Sequence, residues 1–184
     1  MGQPKHGGHL VARILKQEGV RHFFTLSGGH IAPIYDGVVA EGIRLVDFRH
    51  EQSAAHAADG WARVTLETGV VGVTPGPGVT DAVTGIANAM YANSPVLLLT
   101  GTNPTIEFGM GSLQEMDHVT LLRPVTKWAG TCIDVRRLAD GLRANRKRVP
   151  ERDVVVHAIR GVGIGTRHHA GRRECERCQQ HECG

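Results

Sequence analysis

Glu51 stands just after the extended run Arg44–Phe48 and opens an alanine-rich stretch, so it falls in the first turn of a helix that follows a strand. Backbone amides and the helix dipole favour a carboxylate there, and a capping or dipole-stabilising role accounts for it without any chemistry. General acid/base work is the alternative, and it needs a partly desolvated carboxyl whose pKa is raised toward neutrality. Ala54, Ala55 and Ala58 leave little polar screening nearby. Imidazole exchanges protons readily, which makes His50 and His56 proton-shuttle candidates, against the ordinary role of a hydrogen-bonded helix histidine. Pro75-Gly76-Pro77-Gly78 follows a strand and precedes a helix, where free amides can meet an anion or a polar ring. It matches neither the dinucleotide-binding glycine pattern nor the phosphate loop, and a rigid strand-to-helix turn explains it equally well. Gly28-Gly29, after the run Phe23–Leu26, permits a tight turn and close backbone approach.

The elements that must position these residues alternate. Leu10, Val11, Ile14 and Leu15 recur at helical spacing and stop at Gly19. The pattern then predicts a strand over Phe23–Leu26, a helix from about Ile31 to Glu41 with Pro33 in its first turn, and a strand over Arg44–Phe48. A helix over Glu51–Val64, a buried strand over Val70–Thr74, a helix over Val79–Tyr91 and a continuous apolar strand over Val96–Thr100 follow. A last helix is expected from about Asp134 to Asn145. Such alternation implies an α/β fold, a doubly wound parallel sheet with helices on both faces and right-handed crossovers. Ligands on such sheets bind at the carboxyl ends of the strands, so the Gly28-Gly29 turn, Glu51 and the Pro75–Gly78 loop share one edge. Trp61 and Trp128 read as core or interface residues.

Composition sets the outer limits. The 184 residues make about one domain, and 41% hydrophobic with 21% charged residues lies close enough to the globular norm to exclude a disordered polyelectrolyte. No apolar run approaches the roughly 20 residues of a membrane helix, and Met1–His6 lacks the apolar segment of a signal peptide. The expectation is a cytoplasmic protein without a membrane partner. The formal charge of +3 is unevenly placed: residues 1–145 carry 12 basic and 13 acidic side chains, whereas 146–184 carry 9 and 5. The same 39 residues hold three of the four cysteines and no Leu, Phe, Tyr or Trp. Two segments follow: a domain over 1–145 and a basic, irregular C-terminal tail over 146–184. In the tail, Cys175-Glu176-Arg177-Cys178 has metal-ligand spacing, with His168, His169, His181 and Cys183 nearby. A lone Cys-x-x-Cys in this order matches no zinc module, and without interleaved aromatics the arginines specify no nucleic acid, so neither metal nor nucleic acid is assigned.

Taken together the motifs are far more specific. Phe24-Thr25-Leu26-Ser27-Gly28-Gly29-His30, Arg49-His50-Glu51-Gln52, Ala54–Arg63, Val73–Asp81, Gly85–Ala89, Ser94–Gly101, Gln114–Asp117 and Arg123–Lys127 occur in order over about 130 residues. In this series the chain resembles the N-terminal, pyrimidine-binding domain of thiamine diphosphate enzymes of the acetolactate synthase-like group. The resemblance implies that Glu51 hydrogen-bonds the cofactor's aminopyrimidine and promotes the tautomer whose nitrogen takes the thiazolium proton. It also implies that Thr74, Gly76 and Pro77 wall the pyrimidine, and that Gln114, Gly28 and Gly29 lie near the substrate. Asp81 stands where many relatives have Asn, and Leu113 where many synthases have Phe, which leaves the substrate open.

The resemblance further implies carboligation or decarboxylation of a 2-keto acid or related acyl donor. In this family the diphosphate is held through Mg2+ by a Gly-Asp-Gly motif in a separate domain, and this sequence has no such motif. The middle domain, which binds FAD in some relatives, has no counterpart here either. The expectation is a chain inactive alone, completed in a homodimer or by a partner subunit carrying the diphosphate-binding domain. A split decarboxylase subunit and a truncated, non-catalytic remnant are the alternatives. The apolar surface that would face partner domains is expected to drive association if exposed.

Overall fold

In the computed structural model, which describes residues 6–134, Arg137, Leu142 and 154–160, strands and helices alternate from the first turn onward. Helix α1 (Gly7–Gln17) leads into β1 (His22–Thr25), and a single 3-10 turn (Gly29–Ile31) precedes α2 (Ala32–Ala40). Next come β2 (Arg44–Asp47), α3 (Glu51–Thr65), β3 (Gly69–Val73), α4 (Pro77–Tyr91) and β4 (Val96–Thr102). The short helix α5 (His118–Leu122) precedes β5 (Trp128–Cys132), and β6 (Val154–Arg160) completes the set. All pairings are parallel, in the order β2-β1-β3-β4-β6-β5.

Period-two alternation along the strands builds a core on each face. Phe23, Val70 and Leu99 point to one face, where α1 and α2 supply Val11, Ile14, Leu15, Ile34 and Val38. Phe24, Val71 and Leu98 point to the other, against Ala54, Ala55, Ala58 and Ala62 of α3 and Val79, Ala82 and Ile86 of α4. The expected doubly wound sheet with helices on both faces is therefore present. Small residues set the helix spacing on the second face: a Cβ on Gly85 of α4 would lie 2.5 Å from the Cβ of Ala55. Asp59 ties the same pair together. Arg63 donates to both its carboxylate oxygens at 2.8 and 2.7 Å, and the Asn88 amide of α4 donates at 2.7 Å. Burial pushes the Asp59 carboxyl up, but the donors outweigh it and hold its pKa below the usual carboxylate value.

The structure differs from the sequence expectation in the tail. Val154–Arg160 is a strand, inserted between β4 and β5, so the sheet continues past residue 145. Its run of Val and Ile is a plain β signal that the basic, Cys/His-bearing composition of the surrounding residues conceals. The remainder of 146–184, with its cysteines, lies outside the described residues. So does most of the helix expected over 134–145, although Leu142 joins the first core. Trp61 lies, as expected, against the core, 4.2 Å from the His22 ring and under the Arg21 guanidinium.

Candidate functional site

With β1 flanked by β2 on one side and β3 on the other, the chain reverses its winding direction between β1 and β3, and a crevice opens beyond their carboxyl ends. Two loops meet there. A Cβ on Gly28, after β1, would lie 2.6 Å from the Thr74 Cβ, after β3, so only glycine allows this approach. Gly28 itself is extended (φ −158°), and close packing rather than backbone conformation requires it. Gly29 begins the 3-10 turn, with open space where a side chain would stand.

Glu51 enters the same crevice from α3. A Cβ on Gly78 would sit 3.2 Å from its Oε1 and 2.9 Å from the Thr74 Cγ2, which places the carboxylate beside the first turn of α4. Glu51 is only 8% exposed, and no hydrogen bond from a described residue reaches its carboxylate. Capping does not explain it. His50 performs that task, its Nδ1 accepting the Gln52 N–H at 3.2 Å. The His50 Nε2 faces Asp81 at 4.0 Å, so His50, Glu51 and Asp81 form one group at the rim. His56 is exposed on the same helix, outside this group.

The β3–α4 loop turns sharply. Gly76 is the N-cap of α4 at φ 65°, ψ −115°, a conformation glycine reaches readily and other residues rarely do. Pro77 then starts the helix at a position where its missing N–H costs nothing. Segment 105–117 covers this loop. The Thr74 hydroxyl donates to Gln114 Oε1 at 3.0 Å, and a Cβ on Gly76 would lie 3.1 Å from the Gln114 Cα, Cβ and O. Gln114 holds φ 62°, a left-handed conformation that costs a non-glycine residue roughly 1–2 kcal/mol.

Two residues to which the sequence assigned no role, Glu115 within the Gln114–Asp117 motif and His118 just after it, organise this cover. The Glu115 carboxylate accepts the N–H groups of Gly109, Gly111 and Ser112 at 2.5, 2.8 and 3.1 Å, curling the segment around one anion. His118 is 3% exposed, and its Nε2 accepts the buried Gly76 N–H at 2.8 Å. Burial lowers the His118 pKa, against a smaller upward pull from Asp117. Neither residue has a spacing that marks it. The outer side of the cover is apolar: Ile106, Phe108, Met110 and Leu113 are all more than 60% exposed.

A largely buried glutamate without a hydrogen bond among the described residues, set at the winding reversal of a parallel sheet, fits the ligand-binding edge of α/β domains. The comparison with known sequences narrows that class. The family described as "Thiamine pyrophosphate enzyme, N-terminal TPP binding domain" matches residues 5–121, and the chain belongs to this family. It is 51% identical over 129 residues to an acetolactate synthase large subunit from Mycobacterium tuberculosis, covering 70% of this chain and 24% of that protein. It is 49% identical over 136 residues to a 2-hydroxyacyl-CoA lyase 2 from Bos taurus, covering 74% of this chain and 21% of that protein. The human 2-hydroxyacyl-CoA lyase 2 is 47% identical over 136 residues. The chain thus spans less than a quarter of the length of these relatives.

Proposed function

We propose that this chain supplies the pyrimidine half of a thiamine diphosphate site for an acetolactate synthase-like enzyme acting on a 2-keto acid or related acyl donor. The observation that carries the proposal is Glu51: only 8% exposed, reached by no hydrogen bond from a described residue, and set against Gly78 and Thr74 at the carboxyl ends of the strands. An unpaired buried carboxylate is costly, and a ring nitrogen or exocyclic amine at that place would satisfy it. The residues present fit the group. Glu51 would share a proton with the ring nitrogen, and Thr74, Gly76 and Pro77 would form the wall behind it. Gln114, tied to Thr74, would face the reacting end together with Gly28 and Gly29.

When bound, thiamine diphosphate supplies carbanion stabilisation that no side chain offers. The protein's part is binding, orientation and proton control. Glu51 would orient the ring, with the buried Ala54, Ala55 and Ala58 on the same helix. The cover formed by segment 105–117 limits solvent access from above. Mg2+, the diphosphate and, if used, FAD would be held outside the described residues. A homodimer or a partner subunit would complete the site, with the apolar cover facing it.

The test mixes the chain with a separately produced diphosphate-binding domain, thiamine diphosphate and Mg2+, and offers either pyruvate or a 2-hydroxyacyl-CoA. Turnover of one of them that falls about 10²- to 10⁴-fold in Glu51→Gln is the expected result. No turnover by the mixture would favour a non-catalytic remnant, and unchanged turnover in Glu51→Gln would reject the assignment of Glu51.

A further inference from the structure

The amide of Gly76 belongs to the first turn of α4, where N–H groups have no partner within the helix. It is also buried, so leaving it unsatisfied would carry a desolvation cost. His118 Nε2 meets it at 2.8 Å. An imidazole nitrogen that accepts a hydrogen bond carries no proton, so His118 is neutral with its hydrogen on Nδ1. The ring is itself fixed at the start of α5, where the preceding Asp117 caps the helix by accepting the Thr120 N–H at 3.0 Å and its hydroxyl at 2.6 Å. The His118–Gly76 and Thr74–Gln114 bonds therefore join the same two segments, one at the strained Gln114 itself and the other just after it in sequence.

We propose that His118 is a positioning residue: its Nε2 lone pair holds the Gly76 amide and so fixes the turn that sets Thr74 and Gly78 around Glu51. His118 acts through the backbone of Gly76. Its consequence for the cofactor rests on the proposed function above, whereas the hold on Gly76 does not.

The full chain, labelled with 15N, is examined by NMR as wild type, His118→Gln and His118→Phe. In the wild type, the expected result is an Nδ1–H tautomer at His118 and a coupling across the hydrogen bond between its Nε2 and the Gly76 amide. An Nε2–H tautomer would overturn the proposal without any variant having to fold. Loss of the acceptor in His118→Phe should speed Gly76 amide exchange about tenfold, with Val71 and Leu98 unchanged. His118→Gln, which offers a side-chain oxygen, should recover part of that protection. Equal Gly76 exchange in all three proteins would overturn the proposal. Thiamine diphosphate is then added. Shifts at Thr74 and Gly78 that are lost in His118→Phe and kept in His118→Gln extend the role to the cofactor. Absence of such shifts even in the wild type counts against the proposed function, leaving the exchange result to decide His118.

Discussion

At the residue scale, a carboxylate and an imidazole carry opposite structural burdens. Glu51 is buried without a hydrogen bond among the described residues, and His118 is buried with one. For His118 the burial lowers the folded-state pKa below the ordinary 6.5, so the unfolded chain binds the proton first. Its stabilising contribution is complete above 6.5 and is lost as pH falls from there through the folded value. Asp59 follows the same sign at lower pH: its pKa lies below 3.8, so its contribution is lost only as the solution is acidified beyond that value. Chemical denaturation across pH should therefore show stability declining in two stages. His118→Gln should flatten the upper stage and spare the lower. A pH profile identical to the wild type would show that the histidine bond contributes nothing. The position of Glu51 at a strand-to-helix junction left a capping role open, and it was the resemblance that singled this residue out. The loop-shaping role of Glu115, within the Gln114–Asp117 motif, and that of His118 were not legible, because a single side chain that accepts backbone N–H groups across a loop leaves no periodicity to read.

At the element scale, the site depends on how closely α3 and α4 approach, since one carries Glu51 and the other Gly78. Ala55 and Gly85 set that distance, and the Asp59–Asn88 bond reinforces it. A larger side chain must push the helices apart: Gly85→Val should destabilise the fold by about 1–3 kcal/mol and widen the gap beside Glu51. Urea denaturation measures the first effect. A midpoint unchanged from the wild type would mean that the helices are not held in register by this contact. The alternation of strands and helices was readable from periodicity, as was the place of the Pro75–Gly78 loop. The cover was not. Segment 105–117 takes its shape from Glu115 and from three positive φ angles, at Gly109, Gly111 and Gln114, rather than from any amphipathic pattern.

At the scale of the whole molecule, the last strand lies inside the sheet rather than at its edge. β6 separates β4 from β5 and hydrogen-bonds to both. A chain ending after Asn145 would leave the long β4 unpaired on one side and β5 without its neighbour, exposing strand edges that promote association. Such a truncation should aggregate, or lose amide protection in β5, as gel filtration and hydrogen exchange would reveal; a monomer with β5 protection intact would contradict the topology. Charge and cysteine content averaged over 39 residues hid the strand, because the four β-branched residues and one alanine among its seven barely change the composition of so long a stretch. The parallel sheet gives the molecule a crevice for a ring, and the central claim is that it takes the pyrimidine and leaves the diphosphate to another domain. Calorimetric titration of the full chain with thiamine diphosphate and Mg2+, with and without a diphosphate-binding domain, tests this most directly. Weak binding alone, tight binding in the mixture and loss of the gain in Glu51→Gln are predicted. Tight, Mg2+-dependent binding by the chain alone would contradict it.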